Sequence, residues 1–276
     1  MNLTEFNVWL DAIFFALYAI VLIALVIHFL GSIPKGRFRK KFILGKWPEH
    51  DHAPPTQPKL LHHTHMFMMI LLAISGMYIR FPFFDGGRIA MRWVHYIAMI
   101  IVCVVLLWRL WYAFFSKAKD WREFAITRED AKTALGVVLY YSYISNNKPH
   151  GSSKYNVMQK FSYEFFLLLM ILQAFTGFAL VANPILFGFS PRDVLIGWWL
   201  GAIVGSTDLA GWYARTAHYM INWLFIIMTT VHVYLSATED IPVTLDFFFL
   251  KELEVTGGHG HEPHRAPVAD APTQAE

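Results

Sequence analysis

Cysteine is almost absent, with Cys103 the single instance in 276 residues. The chain by itself therefore forms no disulfide and holds no thiolate metal site or iron–sulfur cluster. Charge is scarce as well. Asp, Glu, Lys and Arg make up 16% of the chain, against about 25% in an ordinary soluble domain. No stretch alternates apolar and polar residues in the manner of a barrel strand, and no internal repeat of the kind common in transporters is found. A conventional soluble domain and a membrane β-barrel are both disfavoured.

The chain is instead 56% hydrophobic and 17% aromatic, and its apolar residues are bunched. Four runs, residues 8–30, 93–115, 161–181 and 214–235, exceed the roughly 18 residues that span hydrocarbon. A fifth, 66–84, is slightly shorter and follows a histidine cluster expected at the bilayer surface. Inside a bilayer a helix satisfies each of its own backbone polar groups. The expected fold is thus an all-α membrane protein with five transmembrane helices. The first run is read as a retained helix and not a signal peptide, because Glu5 and Asp11 stand where a basic region would be and no small-residue cleavage site follows.

Charges between the runs are lopsided. Residues 31–61 carry Lys35, Arg37, Arg39, Lys40, Lys41, Lys46 and Lys59, and residues 116–155 carry Lys117, Lys119, Arg122, Arg128, Lys132, Lys148 and Lys154. Residues 82–92 hold only Arg88 and Arg92, and 182–213 only Arg192. Positive-inside bias places the first two loops in the cytoplasm, the N-terminus outside and the C-terminus inside. Residues 193–204, with Trp198 and Trp199, read as a short helix lying in the outer interface. The tail from Val255 reads as disordered, with His259, His261 and His264 solvated and not metal-bound.

Histidine inside a spanning segment is rare and usually functional. The last run contains His218 and His232, fourteen residues apart. Fourteen steps return within roughly 40° of the same helix face and rise about 21 Å. One imidazole then sits near each membrane surface, the layout needed to hold two haems one above the other. Partners at matching depth come from the topology: His62, His63 and His65 open the second helix level with His232, and His95 opens the third level with His218. His28 has no partner at its depth and reads as a propionate contact or an interfacial residue.

The fourteen-residue spacing recurs twice. Gly76 follows His62 and would face the outer haem where a side chain crowds, or else packs helices. Arg109 follows His95 and would meet propionates of the inner haem, or else snorkels to the surface. Glu164, four residues after Lys160, reads either as its local ion-pair partner or as a proton carrier. Asn222, Thr229 and Thr230 read as packing groups of the last helix.

Several motifs together resemble the cytochrome b subunit of membrane-bound formate dehydrogenases (the gamma subunit) and nickel–iron hydrogenases. They are Leu61-His62-His63 with Ser75-Gly76, Arg92-Trp93-Val94-His95, Lys154-Tyr155-Asn156-Val157-Met158-Gln159-Lys160, Thr176-Gly177-Phe178, Ala217-His218, and Val231-His232-Val233-Tyr234. The resemblance covers residues 59–240. It implies that residues 32–254 form a di-haem bundle from helices two to five, with residues 1–31 an additional N-terminal helix and 255–276 a cytoplasmic tail. It further implies that His95 and His218 ligate an outer haem b, and that His62, chosen over His63 and His65, ligates an inner one with His232. Asn156 would contact a quinone, menaquinone or ubiquinone, although Met158 replaces a glycine of the formate dehydrogenase pattern.

Such a protein sits in the bacterial inner membrane and has no dehydrogenase site of its own. It passes electrons from an extracytoplasmic iron–sulfur subunit, fed by a catalytic subunit, to quinone. A haem-free proton-coupled transporter or anchor is the alternative that the same buried histidines, Arg109 and Glu164 admit.

Overall fold

The computed structural model describes residues 3–50, 53–117, 119–147, 149, 155–185 and 187–254. Lys148, Lys154 and the tail 255–276 with its three histidines lie outside the described residues. Among those described, the α-helices are α1 (Leu3–Gly31), α2 (Thr56–Arg80), α3 (Arg88–Phe115), α4 (Trp121–Phe124), α5 (Arg128–Tyr141), α6 (Val157–Ala179), α7 (Leu200–Val204), α8 (Thr207–Glu239) and α9 (Ile241–Phe247). Five of these, α1, α2, α3, α6 and α8, are long and apolar enough to cross a membrane. The chain is an all-α membrane protein, as expected.

Helix ends follow local chemistry. α2 opens just after Pro55 and stops at Arg80, because Phe81 precedes Pro82 and such a residue disfavours helix. The histidine cluster expected at the surface before a helix at 66–84 therefore lies within the first turns of α2. Asn156 caps α6 in a reciprocal box: its side chain accepts from the Gln159 N–H at 3.0 Å, while Gln159 Oε1 accepts from the Asn156 N–H at 2.9 Å. Ser206 caps α8 by accepting from the Leu209 N–H.

Two antiparallel pairs make the bundle. A short connection over 81–87 folds α3 back along α2, and Ser75 near the end of α2 meets His95 near the start of α3. In the second pair Thr176 late in α6 meets His218 early in α8, and Phe166 early in α6 meets His232 late in α8. α1 lies along α8, where Phe14 stacks on Trp223 at 5.8 Å and Tyr18 shares a hydrogen bond with Thr230, and it reaches the end of α2, where Asp11 pairs with Arg80 at 2.7 Å.

The connections differ from expectation in two places. Residues 193–204 form no continuous interfacial helix. A π-helical turn at Asp193–Gly197 is followed by α7, and buried Ile196 packs on Ala179, Ala210 and Ala214 at the ends of α6 and α8. Small alanines let this segment dock onto the bundle while Trp198 stays exposed. In 116–155, α5 is a further helix, opened by a Thr127–Asp130 capping box.

Candidate functional site

α8 turns one face toward α2 and α3, and both of its histidines lie on that face. The His218 and His95 rings stand 6.2 Å apart between centres, and the His232 and His62 rings 6.4 Å. A metal–imidazole bond of about 2.0–2.1 Å, with roughly 1.1 Å more to each ring centre, puts two axial imidazoles about 6.3 Å apart. Both pairs have that separation. Among the described residues no third histidine, cysteine or carboxylate joins either pair in a metal-binding cluster. Two donors with nothing to fill the plane between them suit a metal that brings its own equatorial donors, as iron in a porphyrin does.

The hydrogen bonds at the His95–His218 level strengthen that fit. His95 Nδ1 lies 2.9 Å from the Ser75 hydroxyl and His218 Nδ1 3.0 Å from that of Thr176. The remaining nitrogen, Nε2, is the one left for iron. At His218 it accepts instead from the Gln173 amide at 3.1 Å, and Gln173 Oε1 is buried without a partner. An electron-pair acceptor arriving there would displace an amide that is only half satisfied.

At the other level the three clustered histidines are sorted by direction. His62 alone of the three makes a ring contact with His232 among the described residues. His63 faces Phe247, Phe248 and Phe249 around α9, and His65 lies near Val102 and Arg109 of α3. Phe166 meets His232 edge-on at 5.9 Å.

Other expected residues have specific surroundings. Gly76 sits against a histidine ring: a Cβ there would stand 3.4 Å from His95 Cε1. Arg109 grips Asp120 with two nitrogens at 3.1 and 3.0 Å. Asn156 caps α6 and lies beside Tyr141, whose hydroxyl is pushed well above its ordinary range, chiefly by burial. His28 ties α1 to Tyr234 at 2.6 Å and to the Tyr141 carbonyl at 2.9 Å. The Lys160–Glu164 pair is not formed: Lys160 Nζ donates to Asp130 at 2.8 Å and to the Ala125 carbonyl, because α5 folds back over the start of α6.

Ser75, Thr176, Gln173 and Gly177 contact the histidines and were not singled out as site residues from sequence. A readable signal existed, since Ser75-Gly76 and Thr176-Gly177 repeat a hydroxyl–glycine dipeptide on two helices.

The family description "Prokaryotic cytochrome b561" matches residues 55–249, the stretch that contains both imidazole pairs. The chain belongs to that family. Relatives named "Probable Ni/Fe-hydrogenase B-type cytochrome subunit" include proteins from Rhizobium leguminosarum bv. viciae, 25% identical over 66% of this chain and 79% of the relative. Those from Rhodobacter capsulatus, 22% identical over 66% and 72%, and Azotobacter vinelandii, 24% over 66% and 78%, are similar. No solved structure matches. As a cytochrome b, the chain is a membrane haem b electron-transfer protein, and α1 lies outside the region that the family shares.

Proposed function

We propose that the chain is the membrane-anchoring subunit of a respiratory oxidoreductase complex of the nickel–iron hydrogenase type, with two haem b groups. His95 and His218 hold one and His62 and His232 the other. The cytochrome accepts electrons from an extracytoplasmic iron–sulfur subunit, itself fed by a catalytic subunit, and delivers them to quinone. The two imidazole pairs, at 6.2 and 6.4 Å and fourteen residues apart along α8, carry this reading. The names of the relatives support a hydrogenase partner over formate dehydrogenase.

When bound, haem b supplies a one-electron Fe(III)/Fe(II) couple. The protein's contribution is placement. At each level the two imidazoles would hold the haem between them, which would suit it to electron transfer and not to oxygen chemistry. Histidines about 21 Å apart along α8 bridge most of a hydrocarbon core about 30 Å thick. Quinone is assigned to the His62–His232 end, where α6 begins. Asn156 Oδ1 is engaged by the cap, so a quinone oxygen would be met by its amide N–H. Protons for quinone reduction would enter from the cytoplasmic side.

Reduced-minus-oxidised spectra with haem extraction test the assignment. Two b haems per chain are expected in the wild type, one in His218→Ala and one in His232→Ala. In the purified complex His232→Ala should lose quinone reduction and keep reduction of an artificial dye. A wild type without haem, or an alanine variant that keeps both, overturns the reading.

A further inference from the structure

The two hydroxyl–glycine dipeptides face the same imidazole pair from opposite sides. Ser75 Oγ donates to the Leu71 carbonyl at 2.6 Å, and Thr176 Oγ1 donates to the Leu172 carbonyl at 2.8 Å, each back along its own helix. A hydroxyl has one proton, so toward the imidazole each oxygen acts as acceptor. The proton between Ser75 and His95 therefore sits on Nδ1, and so does the proton between Thr176 and His218. Gln173 requires the same tautomer at His218, because its amide N–H is directed at the Nε2 lone pair.

The glycines complete the arrangement. A Cβ on Gly177 would stand 3.1 Å from His218 Cε1, and one on Gly76 3.4 Å from His95 Cε1. Without side chains there, each ring edge lies close against the neighbouring helix, with its Nδ1–H beside the preceding hydroxyl.

We infer that Ser75 and Thr176 are positioning residues for the His95–His218 pair: each holds Nδ1–H, aims Nε2 at the metal and makes the imidazole a stronger donor. The inference rests on haem ligation by this pair. The other level lacks the device, since among the described residues His62 and His232 make ring contacts and no hydrogen bond to a hydroxyl. An acceptor on the far nitrogen raises ligand basicity and so favours the oxidised metal. The two haems are thereby set apart, with the potential at the His95–His218 level held down by a pair of hydroxyls.

The test is a redox titration of the haem absorbance, with electron paramagnetic resonance of the oxidised form, on purified wild type, Thr176→Val, Thr176→Ser and Ser75→Ala. In Thr176→Val and in Ser75→Ala one component should move upward by about a tenfold change in its reduced-to-oxidised ratio, about 59 mV for one electron. The second component should stay put, and Thr176→Ser should restore the wild-type value. Ser75→Ala, on the other helix, carries the test if Thr176→Val does not assemble. Unchanged potentials and resonance in both variants overturn the inference. So does a Thr176→Ser protein shifted as far as Thr176→Val, which would make side-chain volume the cause. Failure of haem ligation itself is read separately, from a wild type that contains no haem.

Discussion

Asp130 and Lys160 join α5 to the first turn of α6, and their side chains are only 5% and 1% exposed. The hydrogen bond from Lys160, helped by the N–H and hydroxyl of Thr127, holds the Asp130 carboxyl below the usual carboxylate range. Because its folded pKa is lowered, the stabilisation is complete above the unfolded value of about 3.9 and disappears as pH falls through the folded one. Asp130→Ala strands a buried ammonium and should cost about 3–5 kcal/mol. Thermal unfolding in detergent at pH 7 measures the loss, and the gap between wild type and variant should narrow below about pH 4. A variant as stable as the wild type at pH 7 would mean that Lys160 finds another partner. At this scale the sequence was informative where geometry leaves one solution, as with His95 and His218. It was uninformative where several residues compete: nothing in Lys160 and Glu164 at four-residue spacing shows that a carboxylate thirty positions earlier takes the lysine.

Helix α1 had no evident task in the sequence, and its packing supplies one. Its contacts on α8 include Tyr219, Trp223, Thr230 and Tyr234. At 100° per residue these lie roughly 100–160° round the helix from His218. α1 thus grips the side of α8 away from its histidines and fixes its rotation, so that the histidine face stays turned to α2 and α3. In a bilayer such contact depends on packing and polar bonds, since lipid is as apolar as the helix surface. Phe14→Ala removes a stack on Trp223 and an edge contact with Tyr219. A loss of about 1–3 kcal/mol is expected for two aromatic pairs. Thermal release of haem from the purified protein should occur at lower temperature, with the spectrum at room temperature unchanged. An unaltered release temperature would show that α1 does not hold α8.

For the whole molecule, orientation in the membrane follows from where the loop charges sit. The expected arrangement puts 82–92 outside and 31–61 in the cytoplasm. With Cys103→Ala as background, Asp85→Cys should react in intact cells with a membrane-impermeant maleimide, and Lys46→Cys only after lysis. The reverse pattern would put the His62–His232 level at the outer surface and move quinone chemistry with it. Five spans were legible because apolar length is a one-dimensional property, and the matched depths of four histidines followed from counting residues along antiparallel helices. α5, α9 and the docked turn at 193–197 were not legible. They are short, and they are held by contacts with residues far away in sequence, such as Ile196 on Ala210 and Lys59 on Asp246.

The sequence alone determined that the chain crosses the membrane as helices and that imidazoles recur at two depths, since bilayer thickness and helix rise convert residue number directly into height. Only the tertiary structure decided where His63 and His65 point, and that Ser75 and Thr176 stand beside the second nitrogens of His95 and His218. Those outcomes depend on how each helix is rotated about its own axis. Rotation is set by side chains packing between helices, and residue spacing along one helix carries no record of it.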